Sequence, residues 1–209
     1  MPLSSRTIAL SAGALVIVGL AASYVLTQQS GDNPFAPCQT AVLAGAGKIG
    51  GAFTLTDENG NAVSDADVLK KPSLVYFGYT FCPDICPVDT ARNAEAIDIL
   101  EEKGLEVTPV FISVDPRRDT PQTLKDWTDN VHPRMIGLTG TPEQIKAAAQ
   151  AYKVLYQVPE NPADDSYIVN HTTFSYLMMP GTGFAEVYTR EIKADQMADS
   201  VACYIEHSS

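Results

Sequence analysis

Residues 73–87 read SLVYFGYTFCPDICP, and this stretch decides the fold class. Its first six residues form a short apolar run with β-branched and aromatic side chains, which is typical of a strand buried in the middle of a sheet. Cys82 and Cys86 follow, and residues 88–103 then repeat apolar side chains at helical spacing up to Gly104. The sequence therefore predicts a strand, a cysteine-bearing loop and a helix in direct succession.

The same alternation of strand and helix continues along the chain. Predicted strands cover residues 49–56, 73–78, 107–114, 135–138, 174–179 and 184–188, and predicted helices cover residues 88–103, 121–131, 141–152 and 194–205. A tight turn at Asn59-Gly60 makes the first strand part of a hairpin, and residues 180–183 join the last two strands. The fold class is therefore α/β, with the layout of a thioredoxin-like domain that has an N-terminal β-hairpin and inserted elements.

The N-terminal segment differs from the rest of the chain. Residues 8–26 carry no charge, and a helix of that length spans about 28 Å, which matches the hydrocarbon core of a bilayer. Arg6 precedes them, so the N-terminus should stay in the cytoplasm. A cleaved signal peptide is the alternative, because residues 21–23 resemble a cleavage site, but the apolar run is longer than usual for one.

We therefore expect a single-pass protein of the inner membrane, whose soluble domain lies on the periplasmic side or in the equivalent mitochondrial intermembrane space. The expected parts are a cytoplasmic N-terminus at 1–7, a transmembrane anchor at 8–27, a linker at 28–46 and the folded domain at 47–209.

The charge of the chain restricts its partners. The net charge is −11 at pH 7. An acidic surface repels phosphate backbones, so nucleic acid is excluded as an expected partner. A metal ion or a basic protein suits this field better.

Export gives the cysteines two distinct roles, because disulfides persist outside the cytoplasm. Cys82 and Cys86 are four residues apart and form a local pair that we expect to be redox-active. Cys38 and Cys203 lie near the two ends of the folded region, and we expect a structural disulfide between them. The chain-entropy model assigns about 5 kcal/mol to such a long loop, as an upper estimate.

The local pair has the setting of a reactive site. Cys86 is predicted to lie at the N-terminus of a helix, where free N–H groups and the helix dipole stabilise a thiolate. Three residues separate the cysteines, so their sulfurs have room to chelate a metal as well as to form a disulfide. An inert loop disulfide is the alternative, and the helix start argues against it. Asp84 could serve as a further ligand or cap this helix, and the sequence leaves both roles open.

The chain has three histidines, and one of them is a candidate ligand. His207 is near the C-terminus and is expected to be solvated, while His132 precedes a proline and suits a hydrogen-bonded boundary role. In a thioredoxin-like topology, the loop that carries His171 faces the cysteine turn. Two thiolates and one imidazole suit Cu(I) and give a net site charge of −1, whereas zinc would normally take a fourth ligand. Spacing alone leaves ligation by His171 open.

Several separated motifs occur in one order and together resemble the SCO/SenC family. They are IGGAF at 49–53, YFGYTFCPDICP at 76–87, SVDPRRDTP at 113–121, IGLTG at 136–140 and YIVNHTT at 167–173. The resemblance covers about residues 47–206. Two positions depart from the pattern, because many members have His at the position of Phe81 and Asp at that of Asn170. The second departure removes a possible charged partner of His171.

The resemblance implies a copper chaperone that helps to metallate the CuA site of cytochrome c oxidase. It identifies Cys82, Cys86 and His171 as ligands of copper, which is bound as Cu(I) or as Cu(II). It also implies cytochrome c oxidase subunit II as a partner, with a periplasmic copper donor protein as another. The alternative is a thiol-disulfide reductase acting on a partner's cysteines, in which Cys82 and Cys86 are catalytic and the histidine is not needed.

Overall fold

The computed structural model describes residues 35–40, 48–160, 164 and 166–208. The predicted cytoplasmic N-terminus, the predicted anchor and most of the predicted linker lie outside these residues. Within the described part of the chain, no helix is both long and apolar enough to cross a membrane. The described residues from Pro37 onward belong to one compact unit.

This unit is built from short strands and helices that alternate along the chain. The strands are β1 (Thr54–Asp57), β2 (Ala62–Ser64), β3 (Ser73–Gly78), β4 (Thr108–Ser113), β5 (Ile136–Thr139), β6 (Tyr156–Gln157), β7 (Asn170–His171), β8 (Ser175–Met179) and β9 (Gly183–Tyr188). The helices are α1 (Asp65–Val68), α2 (Ile85–Glu102), α3 (Pro121–Val131), α4 (Pro142–Ala151) and α5 (Ala194–Glu206).

One large sheet has the strand order β2-β1-β5-β4-β3-β8-β9, and β6 and β7 form a separate pair. Its centre is parallel, because β4 runs parallel to both β3 and β5. All six residues of β3 are buried, as expected for a central strand. The two hairpins lie at the edges, where β1 joins β5 and β8 joins β3 in antiparallel pairs. The α/β, thioredoxin-like fold predicted from the sequence is confirmed.

Two helices begin with a threonine whose hydroxyl caps the first turn. The hydroxyl of Thr120 accepts the N–H of Thr123 at 3.2 Å, and the hydroxyl of Thr141 accepts the N–H of Gln144 at 3.3 Å. Each cap is followed by a proline in the first turn, where the missing N–H costs nothing.

The helix after the cysteine loop begins differently. Asp84 is its N-cap residue, but the Asp84 side chain makes no capping hydrogen bond, so this role considered for it is wrong. Its backbone has φ −140° and ψ −65°, which is not the extended conformation that capping residues adopt. The Sγ atom of Cys82 instead accepts the N–H of Cys86 at 3.3 Å.

Some short elements could not be predicted from the sequence pattern. Helix α1 begins with a capping box in which Ser64 and Asp67 exchange hydrogen bonds between side chain and backbone. Strands β6 and β7 have two residues each, which is too short for a period to show. Strand β1 begins at Thr54 rather than at residue 49. Gly50 has φ +80° and donates its N–H to the carbonyl of Ala151 at 2.9 Å, so the chain is not yet part of the sheet there.

The four cysteines divide into a bonded pair and a free pair. Cys38 and Cys203 form a disulfide with a Cα–Cα distance of 5.5 Å. This bond ties the chain ahead of the sheet to α5. Cys82 and Cys86 are free thiols, so the structure shows the reduced form of the pair that we expect to be redox-active.

Candidate metal centre

The segments that carry Cys82, Cys86 and His171 meet at the carboxyl end of strand β3. Cys82 lies in the loop after β3, and Cys86 lies in the first turn of α2. His171 ends the short strand β7, and it pairs there with Tyr156 of β6. The fold therefore brings Cys86 and His171 together although they are 85 positions apart along the chain, as the thioredoxin-like topology indicated.

The three side chains are within reach of one metal ion. The Sγ atom of Cys86 lies 3.3 Å from Nε2 of His171. The two sulfur atoms and one imidazole nitrogen all lie within 4.8 Å of one another. Cys86 is buried, whereas Cys82 and His171 are partly exposed. Of the three ligands that would hold a metal ion here, Cys86 is thus the one closed off from solvent.

The orientation of His171 leaves one nitrogen available for a metal. Its Nδ1 lies 2.9 Å from the carbonyl oxygen of Thr172. A carbonyl only accepts hydrogen bonds, so Nδ1 carries the proton and Nε2 presents a lone pair to the sulfurs. The rings of Tyr76 and Tyr79 meet the imidazole edge-on, with centroids at 6.2 and 5.8 Å. Burial lowers the pKa of His171, which favours the neutral, ligating form.

The two thiols differ in acidity. Burial acts to raise the pKa of Cys82, but hydrogen bonds from backbone N–H groups, led by that of Cys86, outweigh it and bring the pKa below its ordinary value. Burial raises the pKa of Cys86 well above its ordinary value, and the nearby Cys82 sulfur adds to this effect. Cys82 is therefore the first of the pair to become a thiolate. The expectation that the helix start stabilises a thiolate at Cys86 is wrong, because burial of Cys86 outweighs the effect of the helix N-terminus. A soft metal ion that binds both sulfurs has to displace the proton of Cys86.

The donor set fits a soft, low-coordinate metal ion. Two sulfurs and one imidazole nitrogen match the preference of Cu(I). Structural zinc would require a fourth protein ligand. Within the described chain, the donor group at this site contains no carboxylate, so the structure does not bring Asp84 into it.

Two other clusters of potential ligands occur in the described part of the chain, and neither has this arrangement. In the cluster of Asp98, Glu101 and His132, Nδ1 of the histidine accepts the N–H of Arg134 at 3.1 Å. Nε2 therefore carries the proton, and it lies 3.4 Å from a carboxylate oxygen of Asp98.

The other cluster contains Cys38, Cys203 and His207. Its two sulfurs are bonded to each other and are not thiolates. Nδ1 of His207 lies 2.8 Å from the carbonyl oxygen of Cys203 and so carries a proton. This protonated nitrogen is also the one that faces the two sulfurs, at 3.7 and 3.8 Å, whereas His171 turns its unprotonated Nε2 toward Cys86.

Gly78 allows the buried sulfur to approach the end of β3. A Cβ atom at this position would lie 3.0 Å from Sγ of Cys86 and 2.9 Å from side-chain atoms of both Phe111 and Tyr76. A real Cβ essentially never shows contacts of 2.9 Å, and a contact of 3.0 Å is tighter than nine in ten, so these neighbours would have to move. A glycine at the end of the strand therefore leaves the space that the Cys86 sulfur and the rings of Phe111 and Tyr76 occupy.

Asp119 holds the loop that leads into Cys82. Its carboxylate accepts the hydroxyl of Thr80 at 2.6 Å and the N–H of Thr80 at 3.1 Å. It also accepts the hydroxyl of Ser113 at 2.6 Å. Burial raises the pKa of Asp119 although these hydrogen bonds lower it. The loop is thereby tied to the carboxyl end of β4.

Asp115 and Arg118 hold the segment that leads to His171. The hydroxyl of Tyr167 donates to Asp115 at 2.8 Å, and the guanidinium of Arg118 forms an ion pair with the same carboxylate. Arg118 also donates to the carbonyl of Tyr167 at 2.9 Å and lies 3.6 Å from the centroid of its ring. We refer to Asp115, Arg118 and Asp119 as the brace, because they fix both ligand-bearing segments.

Sequence reasoning did not assign this role to the brace. The residues appeared only within the SVDPRRDTP motif that carries the family resemblance. The sequence did contain a pattern that could have indicated the brace. A run of polar residues directly follows a buried parallel strand, and functional sites in such sheets lie at the carboxyl ends of strands.

The two departures from the family pattern lie next to the centre. Phe81 is exposed, and its ring lies 4.9 Å from the guanidinium of Arg118. Asn170 is exposed and pairs with Gln157 between β6 and β7. His171 is oriented by the carbonyl of Thr172, so its tautomer does not depend on a carboxylate at position 170.

Comparison with known proteins places the chain in a family. The family model described as SCO1/SenC matches residues 42–206. The chain is 50% identical over 208 residues to protein SenC of Rhodobacter capsulatus, covering 99% of this chain and 93% of that protein.

Solved structures agree with the sequence comparison. The crystal structure of Arabidopsis thaliana ScoI with copper bound superposes with a TM-score of 0.70 at 41% identity, covering 76% of this chain and 99% of that one. The structure of BsSco, described as a member of the Sco family of cytochrome c oxidase assembly proteins with a disulfide switch, has a TM-score of 0.57 at 26% identity and covers 73% of this chain and 90% of that one. The chain therefore belongs to the SCO1/SenC family.

Proposed function

We propose that this protein is a copper-binding metallochaperone of cytochrome c oxidase assembly, which delivers copper to the CuA site of subunit II. The observation that carries the proposal is the convergence of two free sulfurs and an unprotonated imidazole nitrogen within 4.8 Å. The copper-bound state of Arabidopsis ScoI supports the choice of metal, and the description of BsSco supports the link with oxidase assembly.

Copper is the cargo of this activity. Cys82, Cys86 and His171 would hold Cu(I) with a net site charge of −1. The thiolates are soft donors, and three ligands leave the ion open to attack by an incoming sulfur. Because Cys82 is partly exposed, an acceptor thiolate reaches the metal from the solvent side and displaces the donors one at a time. A donor protein would load the site by the reverse exchange.

Thiol-disulfide reduction is a second candidate, favoured by the asymmetry of the two free thiols. Cys82 is partly exposed, whereas Cys86 is buried. In this reaction the Cys82 thiolate attacks a partner's disulfide and forms a mixed disulfide, releasing one partner thiolate. The first released partner thiolate takes up the proton of Cys86, and the resulting Cys86 thiolate attacks the Cys82 sulfur, which releases the partner's second thiolate and leaves a Cys82–Cys86 disulfide.

We further propose that the folded domain works on the exported side of a membrane, tethered by residues 8–27. The disulfide between Cys38 and Cys203 supports this location, because such bonds persist in oxidising compartments.

Removal of the imidazole tests the proposed metal site. We expect His171→Ala to lose stoichiometric Cu(I) binding, measured as the ratio of copper to protein after competition with a chelator, while reduction of a disulfide substrate continues. His207→Ala is the matched control, because His207 is exposed and lies in the cluster that is unsuited to ligation. Unchanged copper retention in His171→Ala would refute the assignment of His171 as a ligand and leave thiol-disulfide reduction as the better-supported hypothesis.

A further inference from the structure

Asp89 is a buried carboxylate that lies one helical turn beyond Cys86. It is 1% exposed and follows the cysteine by three positions in α2. Residues three apart on a helix lie on the same face, so Asp89 and the buried sulfur both face the sheet. A carboxylate in such a place is costly unless hydrogen bonds and opposite charges surround it.

Tyrosine and arginine side chains surround the Asp89 carboxylate. The hydroxyl of Tyr76 in β3 donates to Oδ2 at 3.1 Å. The guanidinium groups of Arg92 and Arg190 lie 3.4 and 3.5 Å from Oδ1. One oxygen of Asp89 therefore accepts a hydrogen bond from the tyrosine while the other faces positive charge, which explains how this carboxylate tolerates burial.

Arg92 ties Asp89 to the edge of the sheet that β8 and β9 form. Its guanidinium donates to the hydroxyl of Ser175 in β8 at 3.2 Å and to the carbonyl of Arg190, which follows β9, at 3.1 Å. Asn93, the next residue of α2, donates to the same serine hydroxyl at 2.8 Å. The face of α2 that carries Asp89 is thus anchored to the sheet, and the carboxylate is a fixed hydrogen-bond acceptor.

Tyr76 lies between this carboxylate and the candidate ligands. Its ring meets the imidazole of His171 edge-on, with the centroids 6.2 Å apart. A Cβ atom at Gly78 would lie 2.9 Å from Cε1 of Tyr76 and 3.0 Å from Sγ of Cys86, so the ring and the sulfur border the same narrow space. A change in the tilt of this ring therefore alters the space available to both ligands.

We propose that Asp89 is a positioning residue of the copper centre and that it acts through Tyr76. This inference rests on the proposed function. By accepting the tyrosine hydroxyl, the carboxylate fixes the ring in the orientation that supports the imidazole of His171 beside the Cys86 sulfur. The 3.3 Å approach between that sulfur and Nε2 of His171 is then set before copper arrives, so binding requires little reordering of the ligands.

The charge of Asp89 allows positioning to be distinguished from a direct electrostatic effect. Cu(I) bound by two thiolates and an imidazole leaves a site charge of −1, which a nearby carboxylate opposes. If Asp89 acted only through its charge, Asp89→Asn would strengthen Cu(I) binding. If Asp89 holds Tyr76, the same substitution weakens binding, because an amide has one oxygen and cannot serve both the tyrosine hydroxyl and the arginines.

A double-mutant cycle on the full-length chain tests the proposal, with Cu(I) affinity measured by competition with a chelator. We expect Tyr76→Phe and Asp89→Asn each to weaken Cu(I) binding about tenfold. We expect Asp89→Asn to have little further effect in a chain that already carries Tyr76→Phe, because the hydroxyl through which Asp89 acts is then absent.

Tyr188→Phe is the matched control. Tyr188 is a buried tyrosine of β9 whose hydroxyl lies 3.0 Å from that of Ser200 in α5, so its loss removes a comparable hydrogen bond outside the Asp89 network. Both phenylalanine variants should have a lower Tm, but only Tyr76→Phe should weaken Cu(I) binding. In copper-free protein, the NMR signals of the His171 ring should shift in Asp89→Asn and stay in place in Tyr188→Phe.

The outcomes separate this inference from the proposed function. Tighter Cu(I) binding by Asp89→Asn would show that the residue acts through its charge, and equal weakening with and without Tyr76→Phe would show that the two residues act independently. Either result overturns the inference, as would equal Cu(I) affinity of Tyr76→Phe and Tyr188→Phe. Absence of stoichiometric Cu(I) binding by the unsubstituted protein would instead reject the proposed function.

Discussion

Replacement of Thr80 by valine tests whether the brace fixes the cysteine loop. Valine has nearly the shape of threonine, so Thr80→Val removes only the hydroxyl that donates to Asp119 at 2.6 Å. The buried carboxylate then keeps the N–H of Thr80 and the hydroxyl of Ser113 as its donors. The perturbation is therefore one charge-assisted hydrogen bond.

The size of the effect follows from that bond. A hydrogen bond to a charged group contributes about 1.5–3 kcal/mol, and because Thr80 is only half-buried we expect the lower value, about 1.5 kcal/mol. In a domain of this size that corresponds to a fall in Tm of about 3–6 °C. The loosened loop should also weaken Cu(I) binding about tenfold, as loss of an outer hydrogen bond around a metal site commonly does.

The assay compares Thr80→Val with Thr80→Ser, which keeps the hydroxyl. Thermal unfolding of the copper-free protein gives the stability, and competition with a Cu(I) chelator gives the affinity. We expect the serine variant to stay close to the unsubstituted protein in both. If the valine and serine variants had the same Tm and the same Cu(I) affinity, the brace would not position the loop.

Three further changes follow from the same geometry. Gly78→Ala should destabilise the protein by about 1–3 kcal/mol and weaken Cu(I) binding, because the added methyl group presses on the Cys86 sulfur, and chemical denaturation with copper titration measures both effects. In copper-free protein, a thiol-specific alkylating agent should label Cys82 roughly tenfold or more faster than Cys86 at pH 7, and the Cys82 rate should rise with pH with a midpoint below the usual thiol pKa, as mass spectrometry of the peptides would show. Replacing both members of the Cys38–Cys203 disulfide by serine should cost about 2–5 kcal/mol in the free energy of unfolding while Cu(I) affinity stays unchanged.

A particular result would contradict each of these three predictions. Full stability of Gly78→Ala would mean that the strand end has room that the structure does not show. Faster labelling of Cys86 would reverse the assigned acidities. Loss of copper from the variant without the terminal disulfide would show that this bond shapes the metal centre and is not only a structural link.

The sequence predicted the parts of the molecule in which local pattern and tertiary fold agree. The buried strand β3 and the threonine-proline starts of α3 and α4 could be predicted, because burial and capping there depend on residues that are adjacent in the sequence. Strand β7 was not, since two residues carry no period, and it is held by pairing with β6. The start of β1 was misplaced because a glycine with positive φ delays its entry into the sheet.

The sequence likewise predicted some features of the candidate site and missed others. Topology indicated that His171 would face the cysteines, and the structure brings these side chains together. The available nitrogen of the imidazole could not be inferred, because it depends on a carbonyl oxygen one residue away in a particular backbone conformation. The brace was missed because its hydrogen bonds connect positions 39 and 52 residues apart along the chain. Asp84 shows the opposite error, since a residue type suited to capping has a backbone conformation that prevents it.

X-ray absorption spectroscopy of the Cu(I)-loaded protein tests the central claim most directly, because it counts the atoms bound to copper. For the unsubstituted protein we predict two sulfur ligands and one imidazole nitrogen at a single copper ion, with the nitrogen absent from the spectrum of His171→Ala. A copper ion bound by sulfur alone, with the same spectrum in both proteins, would contradict the account.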